Sequence, residues 1–121
     1  MQVSNPVLLD HERLDAFRVA VELDLVVVRA LEGVRRHRAA RVQADDASVS
    51  VVLNLAESVG REGGDRAYHL RVARGSLLEL DAALTLLTHR RACPPDARAE
   101  ARALTVRLAA MLHGLLARAS R

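Results

Sequence analysis

At 121 residues, half of them hydrophobic and with a formal net charge of +3, the chain is too apolar to be disordered and long enough for one domain to bury a core unaided. Its single cysteine, Cys93, excludes an internal disulfide, and no Cys/His cluster accompanies it. Only 2% of residues are aromatic, so a core here has to be leucine, valine and alanine.

All eighteen basic residues are arginine. The guanidinium fork suits phosphates and carboxylates, but a GC-rich genome would also favour arginine, together with the heavy use of alanine, valine and leucine. The basic excess permits a polyanionic partner without demanding one. The longest apolar run, LVVV at 25–28, is far too short to span a bilayer. The opening MQVSNPVLLDHER shows neither a basic n-region nor an apolar h-region, so a reduced, cytoplasmic setting is expected.

Glycine and proline punctuate the chain at 33–40, 60–64 and 92–95. They divide it into four segments of about twenty to twenty-five residues, the pattern of an all-α, antiparallel up-down-up-down four-helix bundle filling one domain over 1–121. The first helix is expected over about 10–35. It carries two apolar rows, Leu14, Phe17, Val21, Leu25, Val28, Leu31 and Ala16, Ala20, Leu23, Val27, Ala30, Val34. Together they exceed the stripe that a bundle helix needs. The surplus points to burial between chains. In its sharpest form this expectation has Val19, Leu23 and Val27 needing more shelter than three sister helices provide. Asp24 interrupts the apolar side and calls for a partner arginine or an edge position.

The second helix, expected over about 40–60, sets Gln43, Asp46, Ser50, Asn54, Glu57 and Arg61 on one continuous polar row. Neighbours three and four apart share a face, so the row reads as a wet face or a polar seam between helices, not as a chemical site. The third helix, about 65–90, opens with Asp65 as N-cap. Its core row is Leu70, Ala73, Leu77, Leu80, Leu84 and Leu87. Gly75 costs about 1 kcal/mol relative to alanine in a helix interior, so Gly75 and Ser76 are expected at a close helix contact. The fourth helix, about 96–119, opens at Pro94–Pro95–Asp96. Its core row is Leu104, Leu108, Met111 or Leu112, and Leu115.

The stretch ASVSVVLNLAESVGR followed by LRVARGSLLELDAALTL resembles the bacterial four helix bundle protein family, also called the rRNA intervening-sequence proteins. The first motif is matched at Ser50, Asn54, Leu55, Ala56, Glu57, Gly60 and Arg61. The second is matched at Leu70, Val72, Ala73, Gly75, Ser76, Leu77, Glu79 and Leu80. LDAFRVAVEL at 14–23 is similar to the family's first helix. Val52 stands where the family often has proline, Ser58 where it has glycine, and Tyr68 alone remains of its aromatics before the second motif. The resemblance implies a left-handed antiparallel bundle, a homopentameric ring and no established enzyme activity. It also implies a link to rRNA genes or, through a distant relative, to retroelement RNA.

No nucleophile motif accompanies His11, His37, His69, His89 or His113, and neither a P-loop, a G-x-G-x-x-G nor the paired Glu-x-x-His of di-iron bundles occurs. No catalytic residue, cofactor or metal is therefore expected. In an up-down bundle the first and third connections share one end, which gathers Arg35, Arg36, Arg38, Arg41, Arg90 and Arg91 into a basic pole. Two readings follow. One is a non-enzymatic, self-associating scaffold or adaptor. The other is an accessory protein binding RNA through that pole. Without stacking aromatics, RNA contact would be electrostatic and backbone-directed.

Overall fold

The structure, a computed structural model, describes residues 7–119. Within them a single 3-10 turn at Asp10–Arg13 leads into α1 (Asp15–Leu31), α2 (Arg38–Val59), α3 (Gly63–His89) and α4 (Pro95–Ala119). The bundle is all-α, as expected. Each helix packs on its two neighbours around a square, α4 closing on α1, while the backbones of diagonal helices stay apart among the described residues. Cross-helix pairs run in opposite order on adjacent helices, Ser50 with Ser76 and Asn54 with His69, then Asp81 with Arg102 and Thr85 with Arg98. Neighbours are therefore antiparallel.

The helix ends differ from the expected limits for local reasons. Leu14 is extended (φ −84°, ψ 115°), which separates the opening turn from α1. Gly33, at φ 79°, turns the chain after α1. α3 begins at Gly63, two residues before the expected cap, so Asp65 lies inside the first turn, where a carboxylate faces the positive end of the helix dipole.

The core is aliphatic. Leu70, Ala73, Leu77, Leu80, Leu84 and Leu87 are all buried on α3, the row expected. On α4 the row turns slightly from expectation. It centres on Ala101, Thr105, Leu108, Leu112 and Leu116, leaving Leu104, Met111 and Leu115 half-buried at its edge. Thr105 bends its hydroxyl back onto the Ala101 carbonyl, 2.8 Å away, and so enters the core satisfied.

Helix α1 requires a correction. Val19, Leu23 and Val27 are 4%, 1% and 2% exposed in the single chain, so the three sister helices do shelter them. Those three residues therefore give no reason for the chain to assemble. The unsheltered surplus lies instead on the other row, where Val21, Leu25 and Val28 are 43%, 46% and 49% exposed. Asp24 is half-buried and accepts a 2.8 Å hydrogen bond from the Ser48 hydroxyl on α2. A serine, not an arginine, satisfies it.

Gly75 also departs from expectation within the bundle. It is exposed, and a Cβ there would meet nothing within 4 Å. Its neighbour Ser76 does face a helix, pairing with Ser50 at 2.7 Å.

A polar clamp joins α3 to α4. Arg98 Nη2 donates to Asp81 Oδ1 at 2.8 Å and to Thr85 Oγ1 at 3.0 Å, and Arg102 Nη1 reaches Asp81 Oδ2 at 2.9 Å. Burial alone raises the Asp81 pKa, but the hydrogen bonds from Arg98 and Arg102 outweigh it and hold the carboxyl below its ordinary value of 3.8. A depressed folded-state pKa adds stability that is present above 3.8 and is lost as pH falls through the lower folded value. Asp81→Asn should therefore cost about 2 kcal/mol at neutral pH. In urea titrations the gap to wild type should close on the acid side of pH 3.8.

Candidate functional site: an arginine pole and a polar seam

The connections α1–α2 and α3–α4 lie at one end of the bundle because their helices are antiparallel neighbours. Arg35, Arg36, Arg38, Arg90 and Arg91 are all exposed there, and none makes an ion pair or side-chain hydrogen bond with the described residues. Their charge faces solvent. Arg41 is different. It is half-buried, and its Nη1 donates to the Val34 carbonyl at 2.7 Å, which fastens the first loop. Its Nε is buried without a partner. Beside it, a cleft of about 400 Å³ is lined by Val28, Leu31, Arg38, Arg41, Val42 and Asp45.

The backbone of this pole is strained at two cationic or titratable residues. His37, the N-cap of α2, has φ 59° and ψ 47°, and Arg91 has φ 59°. The left-handed region costs a residue with a Cβ about 1–2 kcal/mol, and glycine would adopt it freely. At the third connection Arg91 sits where the chain reverses, with the amides of Ala92 and Cys93 both returning to the Leu87 carbonyl, at 2.8 and 3.2 Å.

The polar row of α2 divides into a dry part and wet ends. Asn54 donates to the Ser50 carbonyl and hydroxyl at 2.9 and 3.2 Å, and its Oδ1 lies 3.0 Å from His69 Nδ1 on α3. With the Ser50–Ser76 pair this forms a half-buried seam between α2 and α3. Glu57 pairs with Arg61 at 3.3 Å on the exposed surface, and Gln43 and Asp46 are exposed. The seam binds helix to helix, and its polar atoms are spent on each other.

At the opposite end a second cleft, about 340 Å³, collects Arg13, Arg66 and Arg118 over Leu14, Leu70 and Leu115. Arg66 is committed to structure, donating to the Ser58 and Val59 carbonyls at 2.9 and 3.2 Å and so capping α2. Neither this cluster nor the Asp81 clamp was apparent from sequence. Among the described residues no group of three or more His, Cys, Asp or Glu could hold a metal ion, and no helix is long and apolar enough to cross a membrane.

Four antiparallel helices, a Ser–Asn–Ser seam between the second and third, and an arginine-rich end define a compact helical class of protein. Residues 12–114 match the family described as 23S rRNA-intervening sequence protein, and the chain belongs to that family. The match takes in both motifs, all of α2 and α3, and both connections of the basic pole. No curated protein matches the chain.

Substitutions at the seam and at the third connection test the energetics of these parts. Ser50→Ala and Ser76→Ala should each cost about 1 kcal/mol, and the double variant should cost less than their sum because the hydroxyls share a bond. Arg91→Gly should raise stability by about 1 kcal/mol by relieving the left-handed backbone. Chemical denaturation midpoints read both.

Proposed function

We propose that the protein is a non-enzymatic, self-associating helical bundle that serves as a scaffold or adaptor, assembled as the ring of five that the family resemblance implies. The observation carrying this reading is the apolar row Val21, Leu25 and Val28, left about half exposed on α1, with Val42, Val49 and Leu53 exposed on the neighbouring α2. Bulky aliphatic side chains grouped on adjacent helices are uncommon on a solitary soluble protein. They replace Val19, Leu23 and Val27 as the basis for assembly. Light scattering on purified protein at micromolar concentration should report a mass several times that of the 13.2 kDa chain. A monomer would end the reading.

A second reading, RNA binding through the basic pole, is favoured by a separate observation. Among the described residues Arg35, Arg36, Arg38, Arg90 and Arg91 have no carboxylate partner, and Arg91 keeps a cation in a backbone conformation that suits glycine. A cyclic assembly would repeat this pole around its axis and raise the local potential for a polyanion. Affinity for structured RNA should fall steeply with salt. It should be lost when Arg35, Arg36, Arg90 and Arg91 are changed together to Glu, as read by fluorescence anisotropy. Absence of binding by wild type at low salt would remove this reading and leave the scaffold reading intact.

A further inference from the structure

We infer that the end of the bundle away from the arginine pole binds a small anionic amphiphile, a free acid with one carboxylate or phosphate head and one short aliphatic chain.

The fold gathers there three arginines that are distant in the chain. Arg13 ends the opening 3-10 turn, Arg66 lies in the first turn of α3 and Arg118 in the last turn of α4. The three line one cleft of about 340 Å³. Its floor is aliphatic, with Leu70 buried and Leu14 and Leu115 half-buried. Arg13 and Arg118 make no ion pair or side-chain hydrogen bond with the described residues. Arg66 is steadied by its bonds to the Ser58 and Val59 carbonyls, which use two of the five N–H donors of a guanidinium and leave the rest unspent. Asp10 also lines the cleft, but it is exposed and pairs with none of the three.

The helix dipole favours a cation at the C-terminal ends of α2 and α4, which accounts for Arg66 and Arg118 singly. It does not account for Arg13, which the fold adds to the same cleft. Like charges gathered over an apolar floor repel one another, and an anion seated among them would relieve that repulsion.

A second cleft, of about 410 Å³, shares Arg13, Leu14, Leu115 and Arg118 with the first, so the two adjoin. Past those residues it runs along Ala110, Met111 and Gly114 of α4. Its carboxylate, Asp15, is already paired with Arg18. Gly114 keeps this cleft open. A Cβ there would meet only Arg118 Nη1, at 3.7 Å, so packing among the described residues does not require glycine, and a helix interior disfavours it. Sites for small molecules are clefts of about 300–1,000 Å³, largely apolar, with a few polar groups that fix orientation. Both clefts sit at the small end of that range. An acidic head fits among the arginines, whose planar forks match carboxylate and phosphate oxygens. A short chain fits across Leu14 and Leu115 toward Met111 and Gly114.

The test titrates the full chain with octanoate and octyl phosphate by isothermal calorimetry, with inorganic phosphate and octanol as head and chain alone. Both amphiphiles should bind once per chain, and each half alone at least about tenfold more weakly. Changing Arg13→Gln and Arg118→Gln together should weaken both amphiphiles by at least about tenfold. Gly114→Leu, which fills the second cleft, should weaken both amphiphiles and leave inorganic phosphate unchanged. Arg13 and Arg118 are exposed, so the double variant should keep the wild-type circular dichroism spectrum. Should Gly114→Leu disturb the fold, the arginine pair decides. The inference is overturned if neither amphiphile binds wild type, or if the double variant binds them undiminished. It is equally overturned if octyl phosphate binds no more tightly than inorganic phosphate, or octanoate no more tightly than octanol.

Discussion

The leucine ridge of α3 is what the other helices are arranged around. Leu70, Leu77, Leu80, Leu84 and Leu87 are essentially inaccessible to solvent, and they meet Leu23, Val27, Val51, Leu55, Leu108 and Leu112 from the three other helices in one cluster. With no tryptophan and a single phenylalanine in the chain, no large ring is available to span the interior. The helices therefore have to approach until short aliphatic side chains interdigitate, and the alanines Ala16, Ala20, Ala44, Ala47 and Ala73 in the core permit that approach. A core of this kind fills space well but specifies alignment poorly, since leucine ridges can slide by a turn with little change in buried area.

Polar pairs between the helices supply the alignment. Ser50 with Ser76 and Asn54 with His69 fix α2 against α3, Ser48 with Asp24 fixes α2 against α1, and Asp81 with Arg98 and Thr85 fixes α4 against α3. A slip of one turn would separate each pair and leave half-buried polar atoms unsatisfied, a cost of about 1–3 kcal/mol for each. The family motif thus has a physical meaning in this chain. Ser50, Asn54 and Ser76 hold the register of the two helices that they join, and Glu57 and Arg61 only solvate the end of the row.

Most of the architecture was legible because its signals are local and periodic. The four helices, their antiparallel order and the complete α3 core row follow from glycine and proline positions and from a spacing of three and four residues. What was not legible depended on angles between helices. The apolar girth of α1 was apparent, but which of its two rows faces inward depends on where α2 and α4 sit. Val19, Leu23 and Val27 lie on the sheltered arc and Val21, Leu25 and Val28 on the open one, against the expectation. Gly75 shows the same limit. Its spacing placed it on α3, yet only the packing reveals that no neighbour among the described residues approaches it. The Asp81 clamp was hidden for a different reason, since its partners lie 17 and 21 residues away and no local pattern connects them.

The arginines of the basic pole have a partial structural explanation, and its shortfall is informative. Cations near the last turn of a helix are stabilised by the helix dipole, which accounts for Arg90 directly after α3. The same principle counts against Arg38 and Arg41. They occupy the first turn of α2, where anions are favoured and no acidic residue is present. Arg41 is compensated by its bond to the Val34 carbonyl, but Arg38 is exposed and has no ion-pair partner among the described residues. Arg91 adds a left-handed backbone to its charge. Dipole stabilisation explains neither a cation at a helix N-terminus nor a side chain where glycine is easier. Positive charge at this end of the molecule exceeds what the stability of the helices asks for, and that excess supports the proposal of a surface for a polyanion.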